Sequence, residues 1–285
     1  MAEAIKNILV TGGNSGIGFA LCRQLVGDHD NCKVYMGARN IERGTKAVEE
    51  IKSLHPSANI ELLVMDVSDD ASVQTAAVDF KKKDIQLYAI VNNAGVGLKT
   101  GGDLLATNFY GPKRVTDAFV DTMKTDGSGR IVNVSSGAAS MYLREKPVET
   151  KKFFTNPQTT WEELVIEVEK KKDDAGSAGM GVYGLSKAGL NLITIQDAKK
   201  YPNLIVTALS PGFIQTNMTK GWGAKLTAEE GTVSCVKCLF SDDIISGCYY
   251  GSDGLRSPLT VTRDPDTPEY EGEDETTIDR AKYNK

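Results

Sequence analysis

Short apolar runs alternate with longer amphipathic stretches through most of this chain. The runs predicted to be strands are Ile8–Val10, Lys33–Met36, Ile60–Val64, Ala89–Val91, Ile131–Val134 and Leu204–Leu209. Between them, stretches such as Ile41–Leu54 place Val48, Ile51 and Leu54 on one face of a helix. Several strand runs are apolar on both faces, which indicates a parallel sheet buried between two layers of helices. Because crossovers between parallel strands are right-handed, we predict a single α/β domain with a doubly wound parallel sheet.

Two regions depart from this alternation. The segment 141–181 follows a predicted strand but carries a helix of its own, which Thr160 and Glu163 begin with a capping-box pattern. The apolar face of that helix is made by Trp161, Leu164, Val165 and Val168. The C-terminal residues 256–285 are rich in Pro, Asp, Glu and Thr and poor in apolar side chains. We therefore predict one domain over 1–255, with an insertion at about 141–181, and an acidic, extended or loosely packed tail over 256–285.

Composition and charge exclude several classes of protein. The 285 residues are 40% hydrophobic and 25% charged, which rules out collagen, coiled coils and low-complexity chains. Because 33 basic and 38 acidic residues give a net charge of −5, nucleic acid or an anionic membrane is disfavoured as the main partner. No stretch approaches the roughly 18 apolar residues that span a membrane. The run Ile8–Val10 is too short for a signal peptide, so we expect a cytoplasmic protein.

The cysteines and histidines give no sign of a metal site. Five cysteines, an odd number without a secretory signal, indicate reduced thiols. Cys235 and Cys238 lie in a partly apolar helical stretch with no second pair and no nearby histidine, which favours helix packing. His29 and His55, the only histidines, lie far from the motifs described next, so we expect no metal.

The first predicted strand runs directly into a glycine-rich turn, Thr11–Gly18, which opens a helix. Glycines allow a tight turn and let backbone N–H groups approach a pyrophosphate at the helix N-terminus. The complete strand–turn–helix context predicts dinucleotide binding. The residues we expect to contact the dinucleotide here are Gly12, Asn14, Ser15, Gly16, Ile17 and Gly18.

The end of the second strand predicts which nicotinamide cofactor is used. An acidic residue there binds the ribose 2′-OH and disfavours a 2′-phosphate. This chain has Ala38 followed by Arg39, whose planar guanidinium can pair with a 2′-phosphate. We therefore predict NADP(H) as the cofactor, and a solvated surface arginine is the alternative for Arg39.

Tyr183 and Lys187 are four residues apart at the start of a helical stretch, which places them on one helix face. A phenol has a pKa of about 10 and transfers protons poorly near neutral pH unless a nearby cation stabilises its phenolate. Lys187 can supply that charge. The pair alone is common in proteins, and its significance depends on the motifs around it.

Together these motifs resemble the classical short-chain dehydrogenases/reductases over about residues 5–255. The matching pieces, in the family's order, are Thr11–Gly18, Asp66–Val67, Asn92–Gly95, Asn108, Asn133–Ser136, Tyr183 with Lys187, and Pro211–Thr216. Within the family, Gly37–Asn40 and the long segment before Tyr183 look most like the monomeric NADPH-dependent carbonyl reductases. The resemblance implies a Rossmann fold and reduction of a small ketone, aldehyde or quinone to an alcohol.

The resemblance also implies roles for single residues. Tyr183 would give a proton to the carbonyl oxygen, and Lys187 would lower the pKa of Tyr183 and bind the nicotinamide ribose. Ser136 would position the carbonyl oxygen, with Ser135 the less favoured serine, and Asn108 would anchor a water that leads protons to the lysine. The further cofactor contacts implied are Asp66, Val67, Asn93, Gly95, Pro211, Gly212, Ile214 and Thr216. Asn108 as an ordinary helix-interior amide is the alternative reading for that position.

Departures from the family's pattern bear on the substrate pocket and on the cofactor site. Gly95 and Asn108 are only 13 positions apart, so we expect one wall of the pocket to be trimmed. Ser15 stands where similar carbonyl reductases carry a lysine. From their positions, the residues expected to contact substrate are Met141, Tyr142, Phe213 and Trp222.

Two other functions stay open at this stage. One is a dehydrogenase of the same family that acts on a lipophilic, retinoid-like or steroid-like alcohol. The other is a scaffold that senses NADP(H) without turnover, which the presence of both Tyr183 and Lys187 disfavours.

The insertion predicts the state of assembly. Classical family members associate through the helix with the Tyr–Lys pair and the helix before it, and here 46 residues separate Ser136 from Tyr183. A helix with so short an apolar stripe is unstable alone, so we expect it to dock on that surface and leave the chain a monomer. A mobile lid over the substrate cleft is the alternative.

Overall fold

The computed structural model describes residues 4–97, 100–173 and 181–284. Its strands are β1 (Lys6–Thr11), β2 (Cys32–Ala38), β3 (Ile60–Val64), β4 (Ala89–Asn92), β5 (Arg130–Val134), β6 (Ile205–Leu209) and β7 (Tyr249–Tyr250). They form one parallel sheet in the order β3-β2-β1-β4-β5-β6-β7. The predicted doubly wound α/β fold is confirmed. All six predicted strands are present, whereas β7 has only two residues and too little pattern to be found from sequence.

Nine α-helices lie in the described part of the chain. They are α1 (Gly16–Asp28), α2 (Ile41–Leu54), α3 (Asp70–Lys81), α4 (Gly111–Phe119), α5 (Gly137–Arg144), α6 (Val148–Thr155), α7 (Trp161–Lys171), α8 (Gly181–Lys200) and α9 (Val233–Phe240). A π-helical turn, Ala106–Tyr110, leads into α4, and short 3₁₀ turns occupy Val120–Thr122, Glu230–Thr232 and Arg280–Lys282. Among these helices, none combines the length and apolar character needed to cross a bilayer.

The sheet is buried on both faces. Ile8 and Val10 pack into one apolar cluster, and Leu9, which points the opposite way, packs into the other. The thiols of Cys235 and Cys238 lie in the first of these clusters, as the helix-packing interpretation predicts. The strand order reverses between β1 and β4, so the carboxyl ends of these two strands flank a crevice. This is the position where doubly wound sheets bind ligands.

The insertion builds a third apolar cluster. Helix α7 begins at the predicted capping box of Thr160 and Glu163. Leu164 and Val168 are fully buried with Leu185 and Leu192 of α8. The predicted helix and its docking on the helix of Tyr183 and Lys187 are confirmed.

The contacts of α7 extend to the element that precedes α4. The ring of Trp161 stacks on Phe109 with 5.3 Å between ring centroids. The hydroxyl of Tyr110 donates a hydrogen bond to Glu169 at 2.7 Å. Helix α7 therefore covers part of α8 and of the π-helical turn that leads into α4.

The C-terminal tail differs from the sequence-based expectation. It has little regular structure, but it is not loosely packed: Thr260 and Tyr283 are fully buried. The carboxylate of Glu275 accepts hydrogen bonds from the backbone N–H groups of Leu259 at 2.8 Å and Thr260 at 3.0 Å. A low apolar content underestimates how tightly such a segment packs, because polar side chains hold it in place through hydrogen bonds. The domain boundary at residue 255 stays a prediction.

Docking of α7 predicts a difference between two substitutions on that helix. Leu164 is fully buried and Ile166 is 67% exposed. We expect Leu164→Ala to lower the free energy of unfolding by about 2–4 kcal/mol, because it leaves a cavity in the third cluster. The matched variant Ile166→Ala should change it by less than about 0.5 kcal/mol. Urea unfolding of both variants measures this difference, and equal effects would contradict a docked α7.

Candidate active site

A cavity of about 870 Å³ opens at the carboxyl ends of the central strands. Residues from the loops after β1 to β6 line it, together with the first two turns of α8. Every site residue predicted from the sequence lies on its wall except Asn108 and Tyr142. The topology thus brings together residues that are distant in the sequence.

The glycine-rich loop forms one end of the cavity. Gly12 has φ +64°, and a Cβ there would lie 2.8 Å from the Cα of Ala94. A Cβ on Gly18 would lie 2.4 Å from the carbonyl oxygen of Gly12. Only glycine therefore fits at either position, because a side chain would collide with neighbouring backbone atoms.

That helix N-terminus suits an anionic group. Ser15 is the N-cap residue of α1, makes no capping hydrogen bond with its side chain, and is followed by a first turn without acidic residues. The backbone N–H groups at the start of a helix carry a partial positive charge. The N-terminus of α1 and the glycine loop beside it therefore form an end of the cavity that fits the pyrophosphate of a dinucleotide.

Asn93 fastens this loop to β4. Its side-chain amide donates hydrogen bonds to the carbonyl oxygens of Thr11 at 2.8 Å and Gly12 at 3.2 Å. The hydroxyl of Thr11 in turn accepts from the backbone N–H groups of Asn93 and Ala94, both at 3.0 Å. Asn93 lines the cavity as predicted, and its amide also holds the loop in shape.

The second end of the cavity is basic. Arg39 lies at its wall directly after β2, and Arg43 lies beside it on the first turn of α2. The side chain of Asn40 caps α2 by accepting from the N–H of Arg43 at 2.8 Å. Sequence reasoning missed Arg43, although a helix cap at Asn40 implies that Arg43 shares the turn.

Asp66 faces the same end. Its carboxylate accepts hydrogen bonds from the N–H of Ser68 at 2.9 Å and from the Ser68 hydroxyl at 2.6 Å. Burial acts to raise the pKa of Asp66, but the hydrogen bonds from Ser68 and the charge of Arg39 hold it below its usual range. Asp66 is therefore a fixed carboxylate beside Arg39.

Tyr183, Ser136 and Lys187 line the same cavity. Burial raises the pKa of the Tyr183 phenol, and a hydrogen bond between its side chain and that of Ser136 acts in the opposite direction. Lys187 donates a hydrogen bond from Nζ to the carbonyl oxygen of Val134 at 2.8 Å, and its burial lowers the pKa of its ammonium group to about 8. The three groups combine a protonated phenol, a hydroxyl and a buried cation.

The two neighbouring serines have different surroundings. Both serines line the cavity, and Ser136 begins α5 as its N-cap residue. The hydroxyl of Ser135 instead donates to the backbone carbonyl of Lys187 at 3.3 Å. This arrangement favours Ser136 over Ser135 as the serine that faces a substrate.

Asn108 lies behind the cavity wall. It is fully buried in the π-helical turn, and both ends of its amide bond the backbone of Val96 at 2.8 Å. A Cβ on Gly95 would be 3.4 Å from its Oδ1 and 3.8 Å from Nζ of Lys187. The side chain thus fixes the loop after β4 next to the lysine, and the anchoring of a water by Asn108 stays a prediction.

The predicted substrate residues divide into two groups. Met141, Phe213 and Trp222 lie on the cavity wall. Tyr142 does not: it is buried in the third apolar cluster, where its ring meets Phe154 edge-on at 6.5 Å. Successive helical residues point about 100° apart, so Met141 can face the cavity while Tyr142 faces the core.

The wall includes residues that sequence reasoning missed. Tyr249 of β7 and the tail segment 262–265 both line the cavity. The buried guanidinium of Arg263 pairs with Asp253 and donates to Ser257 Oγ at 3.0 Å, which holds this segment in place. No local signal in the sequence marks these residues, because only the folded tail brings them to the cavity.

Comparisons with known proteins agree with this geometry. The sequence model of the family described as short chain dehydrogenase matches residues 6–148. The (+)-neomenthol dehydrogenase of Arabidopsis thaliana is 32% identical, over 87% of this chain and 96% of its own length. The carbonyl reductase (NADPH) 1 of Homo sapiens is 30% identical, over 81% of this chain and 89% of its own.

The solved structure of a relative has the same fold over nearly its whole length. The salutaridine reductase of Papaver somniferum superposes with a TM-score of 0.74 at 30% identity, covering 86% of this chain and 99% of that protein.

Proposed function

This chain belongs to the short-chain dehydrogenase family, and we propose that it is an NADPH-dependent reductase of a ketone, aldehyde or quinone. One observation carries the proposal: Tyr183, Ser136 and the buried Lys187, which follows Tyr183 by one helical turn, line the same cavity. Two of the relatives, the carbonyl reductase (NADPH) 1 of Homo sapiens and the salutaridine reductase of Papaver somniferum, are named for reduction and support this direction, whereas the (+)-neomenthol dehydrogenase of Arabidopsis thaliana is named for oxidation.

NADPH, when bound, supplies the hydride. The glycine loop and the start of α1 would hold its pyrophosphate, and Arg39 with Arg43 would hold the 2′-phosphate at the basic end. A planar guanidinium group at this position can form two charge-assisted hydrogen bonds to the 2′-phosphate, which favours the phosphorylated ribose. We therefore assign NADP(H) rather than NAD(H) as the cofactor.

Tyr183 is the proton donor in this scheme. Burial raises its pKa, so the phenol is protonated near neutral pH and can deliver its proton to the carbonyl oxygen of the substrate. Ser136 donates a hydrogen bond to the same oxygen and positions it. Lys187 stabilises the phenolate as the proton leaves, because its cation lies on the same face of α8.

We also propose that the protein is a monomer. Helix α7 covers part of α8 and stacks Trp161 on Phe109, which removes apolar surface that a second subunit would need. The alternative, a lid over the cleft, has less support because the apolar face of α7 is buried against the domain.

Removing only the phenolic oxygen tests the proton donor. We expect Tyr183→Phe to lower kcat for an NADPH-dependent carbonyl substrate by about 10²–10⁴-fold and to leave the Kd for NADPH nearly unchanged. NADPH absorbance across a panel of ketones, aldehydes and quinones gives kcat, and fluorescence titration gives Kd. Tyr201→Phe, which removes a hydroxyl outside the cavity, is the control. A variant that keeps more than about a tenth of the wild-type kcat would rule out Tyr183 as the donor.

Cofactor choice is tested at the basic end of the cavity. We expect Arg39→Ala to lower the preference for NADPH over NADH, measured as the ratio of kcat/KM values, by roughly 10- to 150-fold, the equivalent of one charge-assisted bidentate contact. Lys46→Ala removes an exposed charge from α2 outside the cavity and should leave the ratio unchanged. Equal use of both cofactors by the wild type would overturn the assignment.

Light scattering at micromolar concentration tests the state of assembly. A mass close to that of one chain, 30.8 kDa, is expected because α7 covers the association surface. A mass of two or four chains would show that the surface left by α7 is sufficient for association.

A further inference from the structure

The cavity contains a second tyrosine. Tyr249 lies on β7 opposite Ala208 of β6, and its side chain is 6% exposed. Burial raises the pKa of its phenol, and the neighbouring hydroxyls of Ser210 and Ser140 act in the opposite direction, whereas nearby Tyr183 acts in the same direction as burial. All four residues line the cavity.

These hydroxyls continue the row that begins at Ser136. Ser140 is one helical turn beyond Ser136 on α5, so the two share a helix face. Ser210 accepts a hydrogen bond from the N–H of Gly137 at 3.1 Å, directly after Ser136. Tyr249 therefore lies on the cavity wall, near Tyr183 of the proposed reaction centre.

The neighbouring strand residue shows what a structural tyrosine does in this fold. The hydroxyl of Tyr250 accepts from the backbone N–H of Ile245 at 2.8 Å and lies outside the cavity. The phenol of Tyr249 instead neighbours the side-chain hydroxyls of Ser210 and Ser140, whose hydrogen bonds to the N–H of Gly137 and to the carbonyl of Pro258 do not involve it. Its phenol can thus turn its hydrogen toward a ligand without leaving a backbone group unpaired.

The attachment of the tail does not need the phenol. Ser257 donates from its backbone N–H to the carbonyl oxygen of Tyr249 at 2.8 Å, and Ser140 donates to the carbonyl of Pro258 at 3.4 Å. Phenylalanine would fill the same space and keep both contacts. The phenolic hydroxyl of Tyr249 is therefore available for a role inside the cavity.

We propose that Tyr249 is a further substrate-binding residue, whose phenol donates a hydrogen bond to a second oxygen next to the carbonyl that is reduced. The proposal rests on the function proposed above and narrows its substrate to oxygenated carbonyl compounds, such as α-hydroxyketones. Burial raises the pKa of Tyr249 well above its usual range, so the group stays a neutral donor and does not compete with Tyr183 as a proton source.

A pair of ketones that differ by one hydroxyl tests this. We expect Tyr249→Phe to lower kcat/KM for 2-hydroxyacetophenone by about three- to tenfold, the effect of one hydrogen bond, and to change that for acetophenone by less than about twofold. Each substrate is compared between variant and wild type, so its intrinsic reactivity cancels. Tyr250→Phe, the matched loss of a phenol outside the cavity, should affect both ketones equally.

Binding of the alcohols separates this proposal from the proposed function. If the wild type reduces neither ketone, the proposed function fails for this class. Calorimetry on the NADP⁺ complex then compares 1-phenylethane-1,2-diol with 1-phenylethanol. A loss of affinity in Tyr249→Phe that is confined to the diol supports the role of Tyr249. Equal losses for both members of a pair, or no preferential loss in either measurement, overturn it.

Discussion

The junction between β1 and β4 is the constraint on which the rest of the site depends. Thr11 and Asn93 bind each other's backbone across the two strand ends, and the close approach of Gly12 to Ala94 leaves no room for a side chain. This junction sets the glycine loop at the start of α1. It also fixes where the chain leaves β4, and therefore where the catalytic side of the cavity begins.

From that junction, a series of polar contacts reaches the reaction centre. The loop after β4 is held at Val96 by both ends of the Asn108 amide, and Gly95 of this loop lies close to both Asn108 and Lys187. Lys187 donates to the Val134 carbonyl at the end of β5, and Ser135 donates back to the Lys187 carbonyl. Three strand ends and one helix are thereby fixed to each other by buried hydrogen bonds. Each bond orients a group that has few other ways to be satisfied.

A buried lysine is costly in this setting. Burial removes the ammonium group of Lys187 from water, which lowers its pKa to about 8, and Nζ donates its hydrogen bond to a backbone carbonyl, that of Val134, rather than to a carboxylate. A side chain needed only for packing would be replaced at no loss by an apolar residue. A cation kept at this cost next to a phenol is typical of a site where the charge does chemical work.

How much the sequence could predict follows from the range of the interactions involved. Strand runs, the capping box of α7 and the glycine turn are local patterns, and each lies where it was predicted. Tyr142 was assigned to the wrong side of α5 because adjacency in sequence does not fix a helix face. Arg43 required the cap at Asn40 to be recognised first. Tyr249 had no signal at all, since a two-residue strand has no periodicity.

The C-terminal tail is a second case in which local sequence patterns do not predict the structure. Its composition predicts a loose segment, because few apolar side chains are available to bury. It nevertheless supplies part of the cavity wall, at 262–265, because buried Arg263 donates to the Thr267 carbonyl and pairs with Asp253, and the Glu275 carboxylate accepts from the backbone N–H groups of Leu259 and Thr260. Such a wall depends on particular pairs of groups. Removing the partner of Arg263 leaves a buried charge unpaired, which costs more than the loss of an apolar contact. The part of the tail that lines the cavity is thus held by interactions that tolerate little displacement.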